Sequence, residues 1–206
     1  MVEIKMEHKK NTFEQWKKVM FDPISFYAKL DSKGQYKEAC KYFLKVQGVI
    51  IALIMLLFVW VMVLSGTGNS LGTLNVSQTV QVLIFIGGAI IIFPILLLFA
   101  WGMLWLNAGI MHLFVLLFGG KKAYSETFKV YAYSISPNVF SAIPFVNWFS
   151  GIYMIILQIV GIKIRHKLSW AKSMAIVIVP LVIIISIVFM LYLKYMLPLM
   201  LASGVL

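Results

Sequence analysis

Residues 80–118 read VQVLIFIGGAIIIFPILLLFAWGMLWLNAGIMHLFVLLF, thirty-nine positions without a Lys, Arg, Asp or Glu. As one helix this stretch would be about 58 Å long at 1.5 Å per residue, nearly twice a hydrocarbon core of roughly 30 Å. Length alone leaves one crossing or two, and the flanking charges decide. Upstream, SGTGNSLGTLNVSQT (Ser65 to Thr79) is rich in Gly, Ser, Thr and Asn and carries no charge; downstream come Lys121, Lys122 and Lys129. Excess Lys and Arg marks the cytoplasmic side of a bilayer, and ten of the 18 basic residues lie at or before Lys45. The uncharged loop therefore belongs outside and Lys121 inside, with an odd number of crossings between them. One crossing is the economical solution. Its excess length would be taken up by tilt, by a kink near Gly87, Gly88 and Pro94, or by an interfacial portion near Trp101 and Trp105.

Working outward, composition agrees: 62% hydrophobic and 12% charged over 206 residues excludes a soluble domain. Val46 to Leu64, VQGVIIALIMLLFVWVMVL, is a first span of bilayer length. No h-region precedes it, so no cleavable signal is expected. Beyond Lys129, a second basic cluster of Lys163, Arg165, His166, Lys167 and Lys172 should share the cytoplasmic side, which requires an even number of crossings between the clusters. Two short spans, Phe128 to Val146 and Trp148 to Ile164, joined by a tight uncharged turn around Val146 to Ser150, satisfy this; a re-entrant hairpin would too. Pro137 and Pro144 make the first of them irregular. Met174 to Tyr192 crosses last, with Lys194 placed to snorkel. The expectation is an all-α polytopic membrane protein: a five-span helical bundle over residues 46–206, amino terminus inside and carboxyl terminus outside. Residues 1–45 form a basic segment of amphipathic interfacial helices.

That segment has helix punctuation. Asn11 and Glu14 have capping-box spacing, and Phe13, Trp16, Val19 and Met20 recur on one face opposite Lys17 and Lys18. Asp22-Pro23 restarts a helix, with Ile24, Tyr27 and Leu30 continuing the apolar stripe, and Asp31-Ser-Lys-Gly34 breaks it. Such a helix suits the headgroup layer of an anionic leaflet.

Catalytic chemistry is hard to place. All seven acidic residues lie at or before Glu126 and none falls in a predicted apolar span, leaving no carboxylate for an intramembrane proton relay. His8, His112 and His166 are far apart in sequence, and no HExxH, Gly-x-Ser-x-Gly, P-loop or dinucleotide pattern occurs. The reading is of a protein that is not an enzyme and holds no cofactor or metal. The single Cys40 rules out an intrachain disulfide. Trp60, Trp101, Trp148 and Trp170 near span ends suit interfacial anchors. Asn107, His112, Asn138 and Gln158 interrupt apolar stretches and form either interhelical hydrogen bonds or a polar seam through the bundle. A formal net charge of +11, distributed by membrane side and almost entirely Lys, points to anionic lipid rather than nucleic acid.

The order of several short elements resembles the Yip domain family, small multi-span proteins named for interaction with Ypt/Rab GTPases. They are WKKVMFDPISFY (Trp16 to Tyr27), HLFVLLFGGKKAYSETFKVYAYSISP (His112 to Pro137), IPFVNWFSGIY (Ile143 to Tyr153) and LQIVGIKIRHKLSWAKSMAIVIVP (Leu157 to Pro180). The resemblance implies five spans and a cytoplasmic amino terminus. The short Lys-rich amino-terminal segment is more like the compact prokaryotic members in a cell membrane, so Rab binding is not carried over. Two functions compete. One is a scaffold or adaptor whose cytoplasmic face of Trp16, Lys17, Lys18, Tyr27, Lys121, Lys122, Lys163, Arg165, Lys167 and Lys172 meets lipid headgroups, a protein partner or a second copy. The other is a small-molecule or lipid transporter or channel using the seam of Asn107, His112, Asn138 and Gln158.

Overall fold

In a computed structural model of the chain, residues 11–31, 36–64 and 78–198 are described, and every regular element among them is helical. The amino-terminal ten residues, the Ser32–Gly34 break, most of the uncharged Ser65–Thr79 loop and the end of the carboxyl-terminal tail lie outside the described residues.

Two short helices come first among the described residues. α1 (Thr12–Phe21) is capped by the Asn11 side chain, which accepts from the Phe13 N–H. α2 (Pro23–Ala28) is capped by Asp22, with Pro at its first position; this is the punctuation that Asp-Pro spells, since proline's missing N–H costs nothing there. α3 (Tyr36–Leu64) ends where the sequence predicts but begins ten residues earlier, absorbing YKEACKYFLK. α4 (Gln78–Leu117) is one continuous helix of 40 residues with Pro94 inside it. α3 and α4 pair antiparallel, Tyr36 stacking on Trp105 and Phe58 on Phe85, with ring centroids 5.6 and 4.8 Å apart.

The predicted span Phe128 to Val146 is not a single helix. α5 (Tyr124–Ser134) gives way to a 3₁₀ segment, Ser136–Ala142, for reasons the prolines supply. Pro137 cannot donate to the preceding turn, and Ile143 is extended (φ −95°, ψ 115°) because it precedes Pro144. Phe145, at φ 66°, then turns the chain into α6 (Val146–His166), which Lys167 closes in a left-handed conformation at φ 54°. α7 (Trp170–Leu191) starts at a Ser169 cap and continues through a π-helical turn, Tyr192–Met196. Among the described residues, four helices are long and apolar enough to cross a membrane: α3, α4, α6 and α7 with its continuation.

Burial is polarised. The core joins α1, α2, the first half of α3, the second half of α4, α5, α6 and the start of α7, around Tyr27, Tyr42, Leu104, Phe128, Leu157 and Ile176. α6 approaches α5 and α2 so closely at Gly161 that a Cβ there would sit 2.6 Å from a Val130 methyl and 3.1 Å from the Tyr27 ring. By contrast, the far half of α3, the first half of α4 and α7 beyond Val177 expose Leu, Ile and Phe broadly. A contiguous exposed apolar surface of this extent needs an apolar solvent.

Candidate functional site

Glu126 is the only acidic residue after Glu38, and Arg165 is the only arginine among the 18 basic residues. The structure puts them together. The Arg165 guanidinium pairs with Glu126 Oε2, and both side chains are about 6% exposed. Its Nη1 also donates to the carbonyls of Tyr27 (3.0 Å) and Leu30 (2.6 Å) at the end of α2. Lys129 Nζ donates to the Asp31 carbonyl at 2.6 Å and reaches Glu126 Oε1 at 3.4 Å. A planar fork that serves a carboxylate and two carbonyls is what arginine offers and lysine does not.

One residue along, the Thr127 hydroxyl bridges two histidines, 2.8 Å from His112 Nδ1 and 3.0 Å from His166 Nε2. The buried His166 Nδ1 has no partner among the described residues. Further bonds pin α1 and α2 to the bundle. Trp16 Nε1 donates to the Ser136 carbonyl at 2.9 Å, Tyr27 Oη to the Val130 carbonyl at 3.4 Å, and Tyr153 Oη to the Met20 carbonyl. Burial, reinforced by neighbouring tyrosines, pushes the Tyr27 phenol well above its ordinary range.

The predicted cytoplasmic face is therefore divided. Tyr27 is fully buried and Arg165 nearly so, and neither is free to meet a headgroup; both hold α2 against α5 and α6. Trp16 is half-buried. Lys17, Lys18, Lys121, Lys122, Lys167 and Lys172 are exposed, while Lys163 is half-exposed with its Nζ 4.2 Å from the Trp170 ring centroid. Lys122 and Lys167, from the two basic loops, line one cavity of about 340 Å³ with Ser125, Glu126 and Arg165. Lys172 Nζ lies against Gly119, whose φ of +87° suits glycine.

The four polar seam residues do not share one site. Asn107 and Asn138 line a cavity of about 350 Å³ with Gln47, Tyr131, Met103 and Met154. Asn107 Nδ2 donates to its own helix at Met103 O, and Asn138 Nδ2 reaches Met154 Sδ at 3.6 Å. His112 is taken by Thr127, and Gln158 is buried on α6, outside the lining of that cavity. The sequence reading passed over Glu126 and Thr127 as site residues and counted Lys129 only as a charge flanking the long apolar run; the solitary arginine and the solitary downstream carboxylate were the signal.

With every regular element among its described residues helical, four helices able to cross a bilayer and an apolar outer surface, the chain is a multi-span helical membrane protein. The Yip1 domain family model matches residues 17–192, most of the chain, and the protein belongs to that family. Neither the curated proteins nor the solved structures compared with it gave a match.

Proposed function

We propose that the chain is a non-enzymatic integral membrane adaptor. Its basic face meets anionic lipid headgroups and a cytoplasmic partner or a second copy of the chain. The observation that carries this reading is the convergence of two basic loops distant in sequence: Lys122 and Lys167 line the same cavity, and Lys172 reaches the Gly119 turn. The topology that goes with it has five crossings, amino terminus inside and carboxyl terminus outside. α5 and the 3₁₀ segment together reach about 30 Å, close to the roughly 31 Å of α6, so a broken helix has the length of a span. The meeting of the basic loops at one end is what charge parity requires.

The test is lipid organisation by the full chain in phosphatidylcholine vesicles doped with fluorescent phosphatidylglycerol. The wild type should cluster the anionic probe, and joint Lys121→Gln, Lys122→Gln, Lys167→Gln and Lys172→Gln substitution should abolish most of the clustering. Equal clustering by the variant would remove the basis of the reading.

The Asn107 and Asn138 cavity favours a second reading, in which the bundle handles a neutral lipid or small molecule. There, Asn107→Leu with Asn138→Leu should stop transbilayer movement of a labelled lipid in proteoliposomes and the lysine variant should not.

A further inference from the structure

We infer that the cavity between α3, α4, α5, the 3₁₀ segment and α6 binds the uncharged polar end of a diacylglycerol, an inference that rests on the second reading above and gives it a ligand class. Gln47, Asn107, Tyr131 and Asn138 come from four different elements to line this cavity of about 350 Å³. A carboxamide in a membrane bundle ordinarily bonds across to a neighbouring helix. Among the described residues these amides are poorly served. Asn107 Nδ2 is held by its own helix at Met103 O, Asn138 Nδ2 meets the Met154 thioether, a weak acceptor, and neither the Gln47 amide nor the Tyr131 hydroxyl has a hydrogen-bond partner. Because the Met103 carbonyl can only accept, the nitrogen of Asn107 is the atom facing it, which leaves Oδ1 as an unused acceptor among the described residues. Unsatisfied polar groups at membrane depth are costly, and a ligand that satisfies them is correspondingly favoured.

Depth and charge narrow the ligand. Gln47 is the second residue of the first apolar run, directly after Lys45 and Val46, and Asn107 follows Trp105 on α4, a level suited to the headgroup boundary. No charged side chain lines the cavity. Lys45 lies on another face of α3, where its Nζ meets Thr12 Oγ1 at 3.2 Å. A phosphate or carboxylate entering here would lose its hydration with no cation to replace it, which argues against anionic lipids and fatty acids. Leu96, Phe99 and Met103 also line the cavity and are exposed on the outer surface of α4, so acyl chains can run from it into the bilayer.

Carboxamides offer both donors and acceptors, and a ligand that uses both must itself donate as well as accept. Diacylglycerol does so without charge: its hydroxyl donates to an amide oxygen such as Asn107 Oδ1, and its two ester carbonyls accept from the amide N–H groups of Gln47 and Asn138. A triacylglycerol only accepts and would leave the amide oxygens unpaired. The cavity holds the glycerol with its ester groups, and the chains remain in lipid.

Native mass spectrometry of the full chain in an uncharged detergent, with lipids of identical acyl chains, tests the site. Dioleoylglycerol should be retained about tenfold more than its acetylated derivative, which lacks only the donor, the scale of one hydrogen bond. It should also be retained more than dioleoyl phosphatidic acid, which adds charge. Gln47→Leu and Asn107→Leu should each cut retention of dioleoylglycerol several-fold. Without lipid, Gln47→Leu should melt no lower than the wild type, because it breaks no hydrogen bond among the described residues; a clearly lower melting temperature would make Gln47 a packing residue and overturn the site. Equal retention of dioleoylglycerol and its acetylated derivative, preference for phosphatidic acid, or retention that neither substitution changes would overturn it too. Selective retention without transbilayer movement of a labelled lipid keeps the site and removes transport. Movement that Asn107→Leu with Asn138→Leu stops, without a preference for dioleoylglycerol, removes the site and keeps transport.

Discussion

Glu126→Gln is the sharpest perturbation of this fold. It changes no volume and leaves the Arg165 contacts to Tyr27 O and Leu30 O in place. It also leaves two cations facing an uncharged amide in a site where the carboxylate and guanidinium are about 6% exposed, so screening by water offers little relief. Removing one partner of a buried pair costs about 3–5 kcal/mol, and the same figure is expected here. Equilibrium unfolding in mixed detergent and SDS micelles measures it. Glu126→Gln combined with Arg165→Gln should cost less than the two single changes together, because the second substitution removes the charge that the first orphaned. A loss below about 1 kcal/mol for Glu126→Gln, or strict additivity in the double variant, would show that Glu126 is not the counter-ion that holds α2, α5 and α6 together.

Gly161→Ala should destabilise by about 1–3 kcal/mol, since its methyl would overlap Val130 and press on Tyr27; Gly151→Ala, which meets nothing within 4 Å, should be neutral or slightly stabilising in the same assay. Trp16→Phe, which loses the bond to the Ser136 carbonyl, should cost about 1 kcal/mol and raise protease sensitivity in α1. Because burial raises the Tyr27 pKa in the folded state, the unfolded chain loses that proton first as pH rises past about 10, and stability should fall there; Tyr27→Phe should flatten that part of the pH–stability curve. Five crossings place Asn147, exposed in the first turn of α6, outside. In a Cys40→Ser background, Asn147→Cys should react with an impermeant maleimide added to intact cells, and labelling only from the cytoplasmic side would mean a re-entrant hairpin and three crossings.

Apolar runs and their flanking lysines made the helices legible. Val46 to Leu64, Trp148 to Ile164 and Met174 to Tyr192 each fall within an observed helix or its π-helical continuation, because a predominantly apolar segment of about bilayer length has one way to satisfy its backbone in lipid. The same logic misled at Phe128 to Val146. Hydropathy averages over a window, whereas Pro137 and Pro144 act at single bonds, and the helix broke where they stand. It also misplaced Arg165 and Tyr27, because a cation in a basic loop and an aromatic on an amphipathic stripe look the same whether they face water or a neighbouring helix. Asn107 and Asn138 did come together at one cavity, but nothing in the spacing of His112 says that Thr127 would claim it.

The pairing of Arg165 with Glu126 also explains why the remaining lysines at this end are available. Between Gly119 and Lys172 the chain carries seven Lys or Arg residues and one carboxylate, and that carboxylate is spent on the two cations inside the bundle. No acidic side chain within this stretch is left for Lys121, Lys122, Lys167 or Lys172. On a soluble protein those lysines would face bulk water; at the end of a membrane bundle each lies within reach of headgroups worth about 1 kcal/mol per lysine on an anionic leaflet. The buried cluster thus does two things at once. It locks α2 to α5 and α6, and by engaging the only carboxylate between Gly119 and Lys172 it leaves those four lysines to be neutralised from outside that stretch.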